Sequence, residues 1–283
     1  MILDVLTDAL LDTLKLLPFL LIAFIIIELV EHKMKNKEIL KKSGKFGPII
    51  GSILGGIPQC GFASLATNLY VTRIISLGTL ISIYLATSDE MLPIMLSEQV
   101  ELSFIIKIVL VKVLIGMTCG LIIDLLYKKK KETFDLCEKE HCHCHEKNHS
   151  LIMSSIKHTL NIAIFVLVIN IVLNFVFELG LEEYLNTLLL QKSIFGPFVS
   201  SLIGLIPNCG ASVVITELYL NGALSLGSLF AGLLTNSGIA LVILFKSNKD
   251  LRENFTILTL VYLIGSIIGL IVNFIWFLFK NSI

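Results

Sequence analysis

Charge is what this chain has least of. Only 16% of its 283 residues are Asp, Glu, Lys or Arg, whereas 55% are hydrophobic and the mean hydropathy is +0.88. That balance cannot cover the surface of a soluble domain and marks an integral membrane protein. No basic excess exists either: 22 Lys plus Arg offset 22 Asp plus Glu. The electrostatic footprint of a nucleic-acid binder is therefore missing. No Gly-x-x-x-x-Gly-Lys-(Ser/Thr) loop occurs, which excludes ATP drive within this chain. The six Cys do not form a disulfide framework. They sit in or near apolar helices or in a Lys-rich loop, so all read as reduced thiols. The first apolar run has neither a basic leader nor a small-residue cleavage site and reads as a span, not a signal peptide.

What is present is apolar sequence in long blocks. Runs at 10–30, 75–96, 104–127, 158–178, 223–245 and 255–279 can each cross a hydrocarbon core of about 30 Å as a helix rising about 1.5 Å per residue. The short alternating segments of a membrane barrel are absent. Two shorter pairs remain, 46–57 with 61–72 and 195–206 with 210–221. An arm of about 12 residues extends only about 18 Å, so each pair reads as a re-entrant helical hairpin ending near the bilayer centre. The expected fold is an all-α polytopic membrane protein of ten helical segments.

Shifted by 149 residues, the sequence falls on itself. Phe46-Gly47-Pro48 lands on Phe195-Gly196-Pro197, and Ile57-Pro58-Gln59-Cys60-Gly61 on Ile206-Pro207-Asn208-Cys209-Gly210. Leu69-Tyr70 lands on Leu218-Tyr219, Ser76-Leu77-Gly78 on Ser225-Leu226-Gly227, and Gly116 with Gly120 on Gly265 with Gly269. Chance similarity among apolar helices would not keep Pro, Cys and Gly in one register, so the chain is an internal duplication. Each half holds three full spans and one hairpin. An odd span number turns the second copy upside down, the inverted-repeat plan of secondary transporters.

Charge placement gives the orientation. With the N-terminus outside, the cytoplasmic loops are 31–45 (Lys33, Lys35, Lys37, Lys41, Lys42, Lys45), 128–157 (including Lys128 to Lys131) and 246–254 (Lys246, Lys249, Arg252). The outer segments carry Asp4, Asp8, Asp12, Glu98, Glu101, Glu182 and Glu183. This is the positive-inside pattern. It leads to a multi-pass protein of the cell membrane with both termini outside. Residues 1–127 form the first transmembrane repeat, 128–157 a cytoplasmic linker and 158–283 the second, inverted repeat. The hairpin tips then approach each other near the midplane.

At each tip Pro stops the first arm and Gly permits the reversal, leaving backbone groups without helical partners. Such groups are tolerated at membrane depth only against protein or a watery cavity. Pro58, Gly61, Pro207 and Gly210 can be turn-makers alone. Gln59 and Asn208 place carboxamides at the same depth, where they either cross-link the tips or coordinate cargo. Cys60 and Cys209 are either small buried hydrophobes or soft ligands. Halfway along 75–96 lies Thr87-Ser88-Asp89-Glu90, and Thr235-Asn236-Ser237-Gly238 lies at the matching depth of 223–245. A central acidic side chain costs about 2.5–3.5 kcal/mol on the insertion scale. Asp89 and Glu90 therefore need an ion, a proton or a counter-charge, Lys112 of the next span being the structural alternative. Asp89 is the first choice for coupling, a carboxylate that exchanges a proton for a cation. Glu90 points about 100° away around the helix. Glu217 is either a further coupling carboxylate or an ordinary rim residue in outer water. Gly51-x-x-x-Gly55, Gly116-x-x-x-Gly120 and Gly265-x-x-x-Gly269 read as close helix packing, with Cys119 inside it.

The linker gathers Cys137, His141, Cys142, His143, Cys144, His145 and His149. Alternating Cys and His suit Zn²⁺, Cu⁺ or similar ions, yet no closed-site spacing is present. The tract either captures metal loosely or is a solvated linker.

With these residues in view, the chain resembles the ten-transmembrane heavy-metal exporters, described also as arsenic efflux proteins or manganese transporters. The resemblance covers essentially the whole chain. It rests on Gly56-Ile57-Pro58-Gln59-Cys60-Gly61, Leu205-Ile206-Pro207-Asn208-Cys209-Gly210 and Leu234-Thr235-Asn236-Ser237. Counting both hairpin arms as spans gives the same ten. The organoarsenical permeases are more distantly similar, and their membrane-embedded Cys near a Pro-Cys-Gly turn points to Cys60 and Cys209.

Three functions compete. The first is a secondary, proton-coupled exporter of a metal or metalloid ion, with the bilayer and the cargo as partners, no resident cofactor, no nucleic acid, and homo-oligomerisation left open. The second is a broken-helix transporter of a small anion with a cation coupled at Asp89 and Glu90. The third is an intramembrane enzyme, which ranks last because no His lies in a span core and the acidic pair has no symmetric partner.

Overall fold

The computed structural model describes residues 46–57, 60–88, 91–127, 195–208 and 210–280, with scattered helical positions between 7 and 25 and between 156 and 175. Among the described residues the regular structure is helical, with no strand. Five of the described helices belong to the first half: α1 (Gly47–Gly55), α2 (Cys60–Val71), α3 (Leu77–Ala86), α4 (Met91–Ser97) and α5 (Leu102–Leu126). Five follow in the second: α6 (Gly196–Gly204), α7 (Gly210–Leu220), α8 (Leu226–Thr235), α9 (Ala240–Ser247) and α10 (Leu251–Lys280). The two sets run in the same order and nearly the same register.

Local chemistry explains the matching ends. Pro48 and Pro197 sit in the first turns of α1 and α6, where a missing N–H costs nothing. Ser76 caps α3, accepting from the Thr79 N–H at 3.2 Å, and Ser225 caps α8, accepting from the Ser228 N–H at 3.1 Å. A second acceptor reaches over from the neighbouring long helix. Asp124 Oδ1 takes the Gly78 N–H at 2.8 Å, and Asn273 Oδ1 takes the Gly227 N–H at 2.9 Å. Asp124 and Asn273 are themselves 149 residues apart. The same buried helix N-terminus is satisfied twice by the same geometry.

In each half the first hairpin arm and the long helix clasp the middle helix: α1 and α5 pack on α3, and α6 and α10 on α8. Glycines allow this approach. A Cβ on Gly120 would stand 2.5 Å from the Gly78 carbonyl oxygen, and one on Gly269 would stand 2.6 Å from that of Gly227. Helices α5 and α10 turn their other faces outward. Leu102, Ile106, Leu110 and Leu114 are exposed at four-residue spacing on α5, as are Leu263, Ile267 and Ile271 on α10. An apolar stripe on a helix long enough to cross a bilayer is a lipid-facing surface. The chain is thus a multi-pass membrane protein with α3, α8 and α9 at its centre.

The spans expected as continuous at 75–96 and 223–245 are each interrupted. Helix α3 ends at Ala86 and α4 begins at Met91, while α8 ends at Thr235 and α9 begins at Ala240. Hydroxyl and carboxamide side chains at Thr87, Ser88 and Asn236 offer the backbone competing hydrogen bonds, which ends the helical ladder. The halves then join by exchange, α2 packing on α9 and α7 on α4.

Candidate functional site

Each of the two interruptions gathers buried polar groups. At the first, Thr87 closes α3 with φ −54° and ψ 130°, its Oγ1 donating back to the Ile83 carbonyl at 2.7 Å. Ser88 Oγ donates to the Ala86 carbonyl at 3.1 Å. Lys112, on the buried line of α5, donates its ammonium to the Thr87 carbonyl and is wholly enclosed. At the second break, Thr235 Oγ1 donates to the Ala231 and Gly232 carbonyls at 3.1 and 3.0 Å. Asn236 Oδ1 accepts the Gly238 N–H at 3.0 Å, and Gly238 takes a left-handed φ of 54°. Ser237 Oγ is buried with no hydrogen-bond partner.

A buried hydroxyl pair links the two breaks. Tyr84 of α3 and Thr67 of α2 lie 2.6 Å apart, oxygen to oxygen, and each reaches the Ala240 carbonyl at 3.5 Å. The turn before the first break is thereby tied to the residue that restarts the helix after the second. Next to Thr67 on α2, Asn68 is fully buried and neither atom of its carboxamide has a partner. Orphaned groups of this kind are uncommon in a folded interior and typically meet water or a ligand.

The ends of the assembly are closed differently. Arg73, just past α2, forks onto Glu253 of α10 at 2.6 and 2.7 Å. Tyr70 donates to the same carboxylate, and the Arg73 guanidinium lies 5.1 Å over the Tyr70 ring. The repeat-equivalent contact is apolar: Tyr219, near the end of α7, stacks on Phe104 of α5 with centroids 6.3 Å apart. A cleft of ≈ 290 Å³ between α1, α2 and α3 is lined mainly by Ile50, Leu54, Phe62, Leu65, Leu69 and Ile83. Such walls cannot replace the hydration shell of an ion, so this cleft is not the polar site.

Of the residues singled out from sequence, Thr87, Ser88, Thr235, Asn236 and Ser237 lie buried at the two breaks. Asn208 is buried at the second hairpin tip, where its Oδ1 accepts the Gly210 N–H at 3.0 Å and so helps make the turn. Glu217 stands exposed on α7. Cys60 begins α2, but its side chain, with Gln59, Asp89, Glu90 and Cys209, lies outside the described residues. So do Cys137, His141, Cys142, His143, Cys144, His145 and His149. Sequence reasoning passed over Thr67, Tyr84 and the Arg73–Glu253 fork. Arg73 and Arg252 are the only arginines in the chain, and Arg is the residue suited to a buried carboxylate fork. That scarcity was the available signal.

No curated protein and no solved structure matches the chain. The profile of one family, described as "Putative, 10TM heavy-metal exporter", matches residues 1–183 and 152–281, nearly the whole length between them. The chain belongs to this ten-transmembrane heavy-metal exporter family.

Proposed function

We propose that the chain is a secondary-active exporter of a heavy-metal or metalloid ion, of the manganese or arsenical class, coupled to protons and built as two inverted repeats. The observation that carries the reading is the pair of matching helix breaks. Each is buried and supplies hydroxyl and carbonyl groups, the second also the Asn236 carboxamide, that can stand in for an ion's water. Broken helices at corresponding places in two repeats form the midplane site of many secondary transporters.

The contacts between the halves support the inversion. The exit of the first hairpin, at Arg73, meets the start of α10, which follows the second broken span. The exit of the second, at Tyr219, meets the start of α5, which follows the first. A broken span separates each exit from the loop that the other exit touches, so the two exits belong on opposite sides. In this reading both hairpins are re-entrant, residues 1–127 and 158–283 are the two repeats, and the 128–157 linker is cytoplasmic in a cell-membrane protein with its termini outside.

The cargo site comprises the tip residues Gln59, Cys60, Asn208 and Cys209 together with Thr87, Ser88, Asp89, Glu90, Thr235, Asn236 and Ser237. Asp89 carries the coupling proton. The linker's Cys and His residues collect metal at the cytoplasmic mouth. The buried ammonium of Lys112 favours the anion-transporter alternative.

Everted vesicles test both readings. Accumulation of Mn²⁺, Zn²⁺, arsenite or a methylated arsenical, lost in Asp89→Asn, supports the exporter. Accumulation of arsenate or phosphate alone supports the anion carrier, and no ion-dependent flux of either kind refutes both.

A further inference from the structure

The two breaks differ in one respect that the repeat makes visible. At the first, the carbonyl pole of α3 already holds a positive charge, because the Lys112 ammonium donates to the Thr87 carbonyl. Adding 149 turns Thr87 into Asn236 and Lys112 into Val261, which is fully buried on α10. The packing frame around the two places is the same. Gly116, one turn past Lys112, lies against Ser82 and Ala86, and Gly265, one turn past Val261, lies against Ala231 and Thr235. The carbonyl pole of α8 thus ends at a break where no lysine from the long helix meets it.

Three further observations describe what such a place would hold. The last carbonyls of a helix lack intrahelical donors and carry the negative end of its dipole, so they favour a cation. Ser237 Oγ is buried there without a partner, whereas its counterpart Ser88 Oγ is bonded to the Ala86 carbonyl. Finally, the acidic pair of the first break has no echo: Gly238 and Ile239 occupy the places of Asp89 and Glu90. The described donors at the second break are all neutral oxygens. Divalent ions of the Mg²⁺ and Ca²⁺ type draw on carboxylates, and soft ions on thiolate or imidazole. A neutral oxygen set at a helix carbonyl pole suits a monovalent alkali cation.

We propose that the break between α8 and α9, with Ser237 Oγ, the Asn236 carboxamide and the terminal carbonyls of α8 as donors, binds one alkali cation, at the place that Lys112 fills with its own ammonium in the first half. This inference rests on the transporter reading and refines it, moving Asn236 and Ser237 from the cargo site to a coupling ion distinct from the cargo and leaving the cargo to the remaining residues of that site.

The test is ²²Na⁺ binding to the full-length protein in lipid nanodiscs, read by scintillation proximity. Wild type should bind saturably. Ser237→Ala should weaken binding about tenfold, the equivalent of about 1.4 kcal/mol. Val261→Lys, which gives the second half the first half's tethered ammonium, should abolish it. Ser247→Ala, which removes another buried unpartnered hydroxyl at the far end of α9, should leave it unchanged. If Val261→Lys does not fold, the contrast between Ser237→Ala and Ser247→Ala decides alone. Absent ²²Na⁺ binding, equal binding by wild type and Ser237→Ala, or displacement of ²²Na⁺ by micromolar Mn²⁺ would each overturn the proposal. Failure of the exporter reading would appear separately, as absent efflux with ²²Na⁺ binding intact.

Discussion

Replacing Arg73 with Gly isolates what holds one end of the two halves together. Arg73 adopts a left-handed φ of 64°, and its repeat counterpart Gly222 has φ 74°. The backbone is therefore already compatible with Gly, and the substitution relieves a left-handed residue of about 1 kcal/mol of strain. Against that gain stands the loss of the fork onto Glu253, whose two bonds are 2.6 and 2.7 Å long. The side chains of the pair are only 10% and 14% exposed. Removing one partner of a buried pair costs about 3–5 kcal/mol, because the other charge is left uncompensated. Tyr70 and Asn248 still donate to Glu253, which keeps the loss near the lower figure. The net expectation is a destabilisation of about 2–3 kcal/mol, or a fall in Tm of about 4–12 °C at about 2–4 °C per kcal/mol for a chain of this size. The assay is thermal denaturation of full-length protein in detergent, followed by the surviving monodisperse peak on size exclusion. Glu253→Gln in the Arg73→Gly background should cost little more, since the charge it removes is already unpaired. An Arg73→Gly protein melting at or above wild type would refute the claim that the fork outweighs the backbone strain.

Asp124→Asn gives the first half the acceptor that Asn273 supplies in the second, and should shift Tm by less than Asp124→Ala, which orphans the buried Gly78 N–H at about 1–3 kcal/mol; equal shifts would show that the cap is not what matters. Gly269→Ala drives a methyl to within 2.6 Å of the Gly227 carbonyl oxygen and the Ala231 methyl, so thermal denaturation should register about 1–3 kcal/mol of overpacking. In vesicle transport across a pH series, Asp89→Asn should flatten the pH dependence that Glu90→Gln retains; the opposite pattern reverses their roles, and two silent variants place the coupling group elsewhere. Deleting residues 137–149 should weaken efflux at low metal and spare it at saturating metal, whereas complete loss at saturation would make the linker part of the pathway.

Much of the architecture is legible because it depends on local rules. The arms expected at 46–57, 61–72, 195–206 and 210–221 form helices Gly47–Gly55, Cys60–Val71, Gly196–Gly204 and Gly210–Leu220. Pro and Gly fix their ends, and the apolar runs fix their lengths. The polar quartets at 87–90 and 235–238 were also visible as unusual, but the apolar sequence on both sides read as unbroken span. Hydropathy measures transfer to lipid and carries no information on whether a helix stays continuous. The first break depends on the Thr87 and Ser88 hydroxyls returning to specific carbonyls, and the second on the Asn236 carboxamide accepting the Gly238 N–H.

The sequence by itself determined the 149-residue register, the helical class and the positions of the polar residues within the apolar runs, since register, composition and apolar length need no knowledge of neighbours. Tertiary structure alone decided which groups meet. Arg73 finds Glu253 across 180 residues, Tyr84 reaches Ala240 across 156, and Lys112 reaches the Thr87 carbonyl across 25. In an apolar interior a polar side chain must take whatever partner the packing brings within hydrogen-bond reach. That partner is set by how α2 lies on α9 and α5 on α3, relations between helix faces that no stretch of sequence contains.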